Sequence, residues 1–561
     1  MPCFDDNGPI CAPLDGEHSS GSGGVIDVTN DAFAMKLSSP PSSMAYCSVG
    51  DFYAGKTLMI TGATGFIGKV MLEKLLRCCP DIRKVFLLVR PKSGQRAAAR
   101  IDEITSGMLF DKVREAQPDF QSKLIPIESD LTEPDLALKE EDIRTLQEET
   151  ELVFHVAATV RFDEKLSLSL RLNVHATKKI LQLSRGMKKL LVLQHVSTAY
   201  ANCDRSRIEE VVYPPPIDPY KILDAVEWMS EDMIQTLTPK LLGKRPNTYT
   251  FTKALAEYVV MEEGKGLPIC ITRPSIVGAS WKEPFPGWID NFNGPSGVFI
   301  AVGKGLLRMM IGDVEAVVDI SPVDFVANAM IGATWHTGIH KPATIPVYNL
   351  VTSPVNPNKW KDVEIIPDLY NKIPLEKVFR RPRAAITKNP LAFEYFNMVG
   401  AKIPAYIIDC VRRLQGKKPM MLKVNQKITK MVHTLKYFTN NTWEWTNQNT
   451  IALSAAMNEE DRKVYFTDVR PLHWPSYLEA YCLGTKKFVL NEDMNDLPAA
   501  RSHLRMLRNI RWTFNTALIV IIWRVLIARS QLARNLWAFV INIFFRFLRY
   551  CRVTSTIARA H

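Results

Sequence analysis

The chain has no C-x-x-C pair and no Cys/His group with metal-ligand spacing, although it carries ten cysteines, at 3, 11, 47, 78, 79, 203, 270, 410, 482 and 551. That argues against a structural zinc site or a thioredoxin-type redox pair, and scattered thiols fit a reduced compartment. No apolar run of signal-peptide type stands near residue 1, and no internal repeat is visible. The last 61 residues lack lysine, aspartate and glutamate entirely, yet hold eleven arginines. Without those arginines the chain has 59 basic and 58 acidic residues, so its formal charge of +12 belongs to the tail. A near-neutral body disfavours a nucleic-acid partner.

With 561 residues, 47% hydrophobic and 23% charged, the chain is globular and too long for one ordinary core. Residues 1–48 are rich in Gly, Ser, Asp and Pro without hydrophobic periodicity, and read as a disordered leader. Short apolar runs then alternate with helical stretches: "TLMI", "KVFLLVR", "KLIPIESDL", "ELVFHVAA", "KLLVLQHVST" and "LPICITRPSIV". Such runs are buried parallel strands, so residues 49–349 are expected to form a doubly wound, Rossmann-like α/β sheet. Residues 350–495 read as a smaller, mostly helical domain. Residues 496–561 read as a membrane-associated tail.

Within the tail, Trp512–Ala528 is apolar except for Arg524. Seventeen helical residues reach about 25 Å, marginal for a bilayer. Tryptophans, clustered arginines and the missing acids favour lipid over a soluble core. Spanning, hairpin and interfacial placements all remain open.

Thr61-Gly62-Ala63-Thr64-Gly65-Phe66-Ile67-Gly68 follows a strand and opens a helix. Gly62 suits a tight turn, Gly65 a close approach to a pyrophosphate, and Gly68 tight helix–strand packing. The helix N-terminus offers N–H groups to phosphates. This is a dinucleotide-binding turn with G-x-x-G-x-x-G spacing. At the tip of the second strand, where an NAD binder carries an acid, stand Arg90 and Lys92. Cations there suit a 2′-phosphate and favour NADPH. Asp130 and Leu131, ending the third strand, are placed beside the adenine, and Ala157, ending the fourth, against the cofactor.

Tyr249 and Lys253 have Y-x-x-x-K spacing, one helical turn apart. A nearby ammonium lowers a phenol pKa, so the pair is expected to exchange a proton with a carbonyl oxygen. The fifth strand ends on Ser197 and Thr198, hydroxyls able to polarise that oxygen, with Thr198 the favoured one. Gly287–Arg308 is expected to supply part of a substrate site, and Trp443 and Trp445 to sit in the core of the second domain.

The glycine turn, the Ser-Thr strand end and Y-x-x-x-K resemble the extended short-chain dehydrogenase/reductase superfamily. "EPFPGWIDNFNGPSGVFIAVGKGLLR", "SPVDFVANAMI", "YFTNNTWEW" and "DVRPLHWPSYLEAYCLGTKKFVL" further resemble the alcohol-forming fatty acyl-CoA reductases. The resemblance covers about residues 52–495. It implies NADPH as cofactor, a long-chain fatty acyl-CoA as substrate, a primary alcohol formed through an aldehyde, and no metal. It also implies that Lys253 holds the nicotinamide ribose. The endoplasmic reticulum is the membrane expected from it, with the catalytic domain in the cytosol and peroxisome or lipid droplet as alternatives. The rival from the same superfamily is a membrane-associated enzyme acting on a sterol or other carbonyl. A non-catalytic membrane scaffold is disfavoured, because both Tyr249 and Lys253 are present. Oligomeric state cannot be read from the sequence.

Overall fold

Leu58, Met59 and Ile60 are fully buried, as a strand covered on both faces must be. In the computed structural model, which describes residues 46–557 except residue 93, they belong to β1 (Thr57–Thr61). The leader expected over residues 1–48 lies, up to residue 45, outside the described residues. The other sheet strands are β2 (Lys84–Val89), β3 (Leu124–Glu128), β4 (Leu152–His155), β5 (Val192–Val196), β6 (Ile269–Pro274) and β7 (Val347–Leu350). They form one seven-stranded sheet in the order β7-β6-β5-β4-β1-β2-β3, every pair parallel. Chain direction across the sheet reverses between β1 and β4, where a crevice opens at the strand ends.

Alternation along β1 separates two cores. Leu58 and Ile60 face the helices α1 (Phe66–Cys78) and α3 (Val323–His340). Met59 faces α2 (Thr248–Glu263), together with Val153 and Leu193 of the neighbouring strands. The six runs named in the sequence each contain a sheet strand. The seventh strand, β7, spans only four residues and went unlisted.

The region after β7 is mainly helical and shares a core with what precedes it. Val298, Phe299, Ile311 and Val318 pack with Trp360, Tyr370, Trp474 and Tyr481. Polar ties reinforce the joint. The Glu210 carboxylate accepts the backbone N–H of Asn349 at 3.1 Å and of Asn449 at 2.8 Å. The helices here include α4 (Pro390–Asn397), α5 (Ile403–Leu414), α6 (Met421–Asn440) and α7 (Trp474–Gly484).

The tail forms α8 (Leu497–Arg529) and α9 (Gln531–Ile557), joined at Ser530. Trp523 and Trp537, each seven residues from Ser530, meet edge to face at 5.7 Å, so α9 folds back along α8. Ala500 and Leu504 are buried on the body, and His503 lies 3.0 Å from the Val378 carbonyl oxygen. Beyond Arg511 the helix leaves the body, with Trp512, Phe514 and Ile519 exposed. α8 is long and apolar enough to cross a membrane, with a mean hydropathy of 1.5 over its most apolar window and none of that window buried.

Behind the site, Arg273 and Glu257 form a bidentate ion pair at 2.7 and 2.8 Å with both side chains essentially fully buried. Arg273 also donates to the Glu209 and Val211 carbonyls, so both partners are satisfied. Arg273→Met strands the Glu257 charge and is expected to cost about 3–5 kcal/mol. Arg273→Met/Glu257→Leu should recover part of that loss. Thermal unfolding in detergent checks this; equal loss in the single and double variants would contradict it.

Candidate active site

The turn after β1 is shaped by close backbone contacts. Gly62 has φ +77°, and a Cβ there would lie 2.7 Å from the Ala157 nitrogen. A Cβ on Gly68 would lie 2.2 Å from the Gly62 carbonyl oxygen. Only glycine fits either place. Gly65 is the exposed N-cap of α1, and its N–H donates to the Gly62 carbonyl at 2.9 Å. Thr64, Phe66 and Ile67 are half-buried around it, with Phe66 stacked on Trp288 at 5.7 Å.

Thr61 turns its hydroxyl sideways, towards β4, and lies buried. The Ala157 N–H donates to its Oγ1 at 3.3 Å, and that hydroxyl lies 2.8 Å from His155 Nδ1. His155 Nε2 lies 3.1 Å from Thr177 Oγ1, which donates to the Asn173 carbonyl at 2.8 Å. The partners assign the tautomer: Nδ1 accepts from Thr61 and Nε2–H donates to Thr177. Burial, helped by the Lys253 charge, pushes the His155 pKa down to about 3, so the ring stays neutral. The chain continues through the Asn173 amide, which donates to Thr252 at 2.9 Å, beside Lys253. Asn173 occupies a π-helical turn at Arg171–His175, and nothing in the sequence singled it out.

α2 begins at its cap, Asn247, whose Oδ1 accepts the Thr250 N–H at 2.9 Å. This start brings Tyr249 and Lys253 to the ends of β5 and β6. Tyr249 is half-buried, its ring stacked on Phe162 at 5.9 Å. Burial pushes its pKa up to about 12, opposed by a hydrogen bond with the Thr198 hydroxyl. This differs from the lowered value expected of the Y-x-x-x-K spacing. Lys253 directs its ammonium elsewhere, donating to the Val196 carbonyl at the end of β5 at 2.7 Å. The ammonium is buried, and the nearby Glu257 carboxylate is held by Arg273, so burial lowers the Lys253 pKa to about 8.

Thr198 lies beside Tyr249, and its hydroxyl donates to the Pro274 carbonyl at 3.4 Å and accepts the Tyr200 N–H at 3.3 Å, while the neighbouring Ser197 hydroxyl is buried without a hydrogen-bond partner. A backbone surface bared of side chains and an unpartnered buried hydroxyl both lie at the ends of β1, β4 and β5. The residues present fit a dinucleotide with a carbonyl substrate beyond it. A cleft of about 490 Å³ opens next to Phe162 and Asn247, against Lys436 and Tyr437 of α6.

Arg90 follows β2 directly and is exposed, as is Lys92. The Arg100 guanidinium donates to the Arg90 carbonyl, adding a cation that the strand-tip reading had passed over. Asp130 stands just beyond β3 with Leu131 half-buried beside it, and its carboxylate accepts from Thr132 N–H at 3.0 Å and Thr132 hydroxyl at 2.8 Å.

Gly287–Arg308 is largely a packed joint. A Cβ on Gly287 would meet the Ala480 carbonyl of α7 at 2.1 Å, and Trp288 and helix Pro295–Gly303 are buried. Trp443 and Trp445 are buried and brace the loop after Thr198. Their indoles donate to the Cys203 carbonyl at 3.0 Å and the Ala199 carbonyl at 3.2 Å. Gly62→Ala is expected to weaken dinucleotide binding by about tenfold or more by pushing β4 away from the turn. Fluorescence titration with reduced nicotinamide dinucleotides checks this, and unchanged affinity would contradict it.

Comparison with known proteins agrees with this geometry. Residues 60–330 match the NAD-binding profile of the family described as "Male sterility protein", and residues 401–492 match a second profile of that description. Fatty acyl-CoA reductase 1 of Xenopus laevis is 54% identical over 511 residues, 91% of this chain and 99% of the relative. Fatty acyl-CoA reductase 1 of Homo sapiens is 52% identical and fatty acyl-CoA reductase 2 of Mus musculus 47%, each with the same coverage. Among solved structures, the terminal R domain of the myxalamid PKS-NRPS pathway is alike in fold, with a TM-score of 0.51 and 20% identity over 78% of this chain and 93% of that one. The chain carries a nicotinamide-nucleotide-binding domain over residues 60–330 and belongs to the fatty acyl-CoA reductase family.

Proposed function

We propose that the protein reduces long-chain fatty acyl-CoA to a primary fatty alcohol with NADPH, releasing CoA, at a membrane. The observation that supports this is a glycine cradle with the buried, partnerless Ser197 hydroxyl beyond it, in a chain 54% identical to a fatty acyl-CoA reductase. We assign the site to Tyr249, Lys253, Thr198 and Ser197, and the domains to residues 49–349, 350–495 and 496–561.

The cradle would hold NADPH, which when bound would supply hydride: one molecule for reduction of the thioester, whose thiohemiacetal collapses to aldehyde and CoA thiol, and a second, after exchange of the spent NADP+, for reduction of the aldehyde to the alcohol. Each reduction leaves an oxygen that needs a proton. Tyr249 is suited to give it, because burial keeps its phenol protonated across the physiological range. Thr198, beside Tyr249, would turn its hydroxyl from the Pro274 carbonyl to the same oxygen, with the partnerless Ser197 as the second hydroxyl. We assign to Lys253, whose buried ammonium donates to the Val196 carbonyl at the end of β5, the hold on the nicotinamide ribose. Arg90, Lys92 and Arg100 form the cationic loop that we assign to the 2′-phosphate. Asp130 and Leu131 flank the adenine.

The apolar, arginine-flanked α8 supports a membrane location, for which we favour the cytosolic face of the endoplasmic reticulum. Such a location brings the site to a substrate that partitions into lipid.

Tyr249→Phe is expected to lower alcohol formation by about 10²–10⁴-fold while nucleotide affinity is kept. Turnover retained in this variant, measured by mass spectrometry of lipid products, would refute the acid. The pH profile of kcat/KM should fall above about pH 8, where Lys253 loses its proton, well below the range in which Tyr249 ionises. Lys253→Arg should move that limb upward; a limb left in place would contradict the assignment. Arg90→Ala should lower the preference for NADPH over NADH, and an unchanged ratio would count against the cationic loop.

A further inference from the structure

α5 is amphipathic, but its apolar side faces outward. Its buried residues are Ala405 and Asp409, while Ile403, Tyr406, Ile407 and Leu414 are exposed, Tyr406 at 59% and Leu414 at 89%. The inversion has a local cause. The Asp409 carboxylate accepts the backbone N–H groups of Met420, Met421 and Leu422, each at 2.9 Å, and so caps the start of α6. Small Ala405, one turn earlier, lets α5 lie close to its neighbour. With the inner face committed to a cap, the apolar residues stand on the outer face. α4 extends the patch with Leu391, 79% exposed, and Tyr395. Isolated exposed apolar residues are ordinary, but a continuous face of this kind marks an interaction surface.

Charge identifies the occupant. Residues 388–430 hold nine lysines and arginines against two acids, Glu394 and Asp409; Asp409 is turned inward, and of the cations Lys388 and Lys430 are paired, with Asp313 and Asp163. Behind the turn between α4 and α5, the Arg380 guanidinium donates to the Gly400 carbonyl. Arg308 lies close enough to Arg380, Arg383 and Arg511 for their charges to act on its own, and among the described residues no carboxylate forms an ion pair with any of the four. Arg511 immediately precedes the apolar stretch of α8, so the patch is continuous with the point where the tail leaves the body. An apolar face rimmed by unpaired cations, beside a helix fit to enter a bilayer, matches a membrane with anionic headgroups better than another protein.

We propose that α4 and α5 form a second membrane contact, their outer faces seated among lipid acyl chains, with Arg308, Arg380 and Arg383 at the headgroup phosphates. This rests on the reading of α8 as a membrane segment. The contact fixes the orientation of the reductase body on the bilayer, which a tail alone would leave free to swing. It also brings the apolar junction of α4 and α6, near Leu307 and Val432, to the lipid surface.

The test uses the full chain in vesicles of phosphatidylcholine and phosphatidylserine, with a photoreactive diazirine side chain installed singly at Ile407, Leu414, Leu518 or Trp228. Leu518 reports the tail, and Trp228, 65% exposed, reports ordinary surface. Lipid adducts, read by mass spectrometry, are expected at Ile407, Leu414 and Leu518 at about ten times the yield at Trp228. Phosphatidylserine should be enriched over its bulk share in the adducts at Ile407. Adducts at Leu518 alone would overturn this contact and leave the tail as membrane segment. No adducts at any position would overturn the membrane reading itself. Cross-links from Ile407 to a second copy of the chain would replace lipid by self-association, and adducts without phosphatidylserine enrichment would remove the arginines' headgroup role.

Discussion

The contact between the backbones of Gly62 and Ala157 governs the arrangement of the site. It demands a glycine at positive φ after β1 and a small residue after β4, and it leaves a surface of peptide groups where side chains would otherwise stand. Strand order places that contact at the reversal of chain direction, so a ligand can enter between two diverging crossovers. From there the hydrogen bonds run Ala157, Thr61, His155, Thr177, Asn173 and Thr252. A neutral, buried histidine thus ties the glycine turn to the helix that carries Tyr249 and Lys253. Rigid placement of the two halves of the site follows from one connected polar chain, in a low-dielectric interior where such bonds are strong.

The helical region after β7 takes part in this placement. Tyr200 is enclosed by Phe438, Trp443 and Trp445, with ring centroids 5.2 to 5.5 Å away. The two indoles hold carbonyls of the loop that follows Thr198. An aromatic lid over the back of that loop restrains the Thr198 hydroxyl indirectly. The same region carries the outward apolar face and leads into α8, so the candidate site and the apolar tail helix share one framework.

Much of this was legible in the sequence because it is local. Apolar runs report doubly covered strands, and the spacing of Gly62, Gly65 and Gly68 reports a turn. Tyr249 and Lys253 report one helical face. What escaped depends on contacts between distant segments. β7 lies in a proline-flanked stretch without the long apolar run that marked the equally short β4. Thr61, read as part of the glycine turn, has its hydroxyl on His155 and the Ala157 N–H at the end of β4, partners that its place in the motif does not reveal. Lys253 was read as a modifier of Tyr249, but the carbonyl that receives its ammonium lies 57 residues away in sequence. The outer face of α5 has the pattern of an ordinary core helix, and only the cap formed by Asp409 shows which way it faces.

The most direct test of a two-hydride reductase is isotopic. The wild-type protein in vesicles would be supplied with a long-chain acyl-CoA and NADPH carrying deuterium in the transferred position, and the alcohol analysed by mass spectrometry. The account requires both hydrogens on the carbinol carbon to be deuterium. Alcohol with a single deuterium, or aldehyde accumulating as the only labelled product, would contradict it.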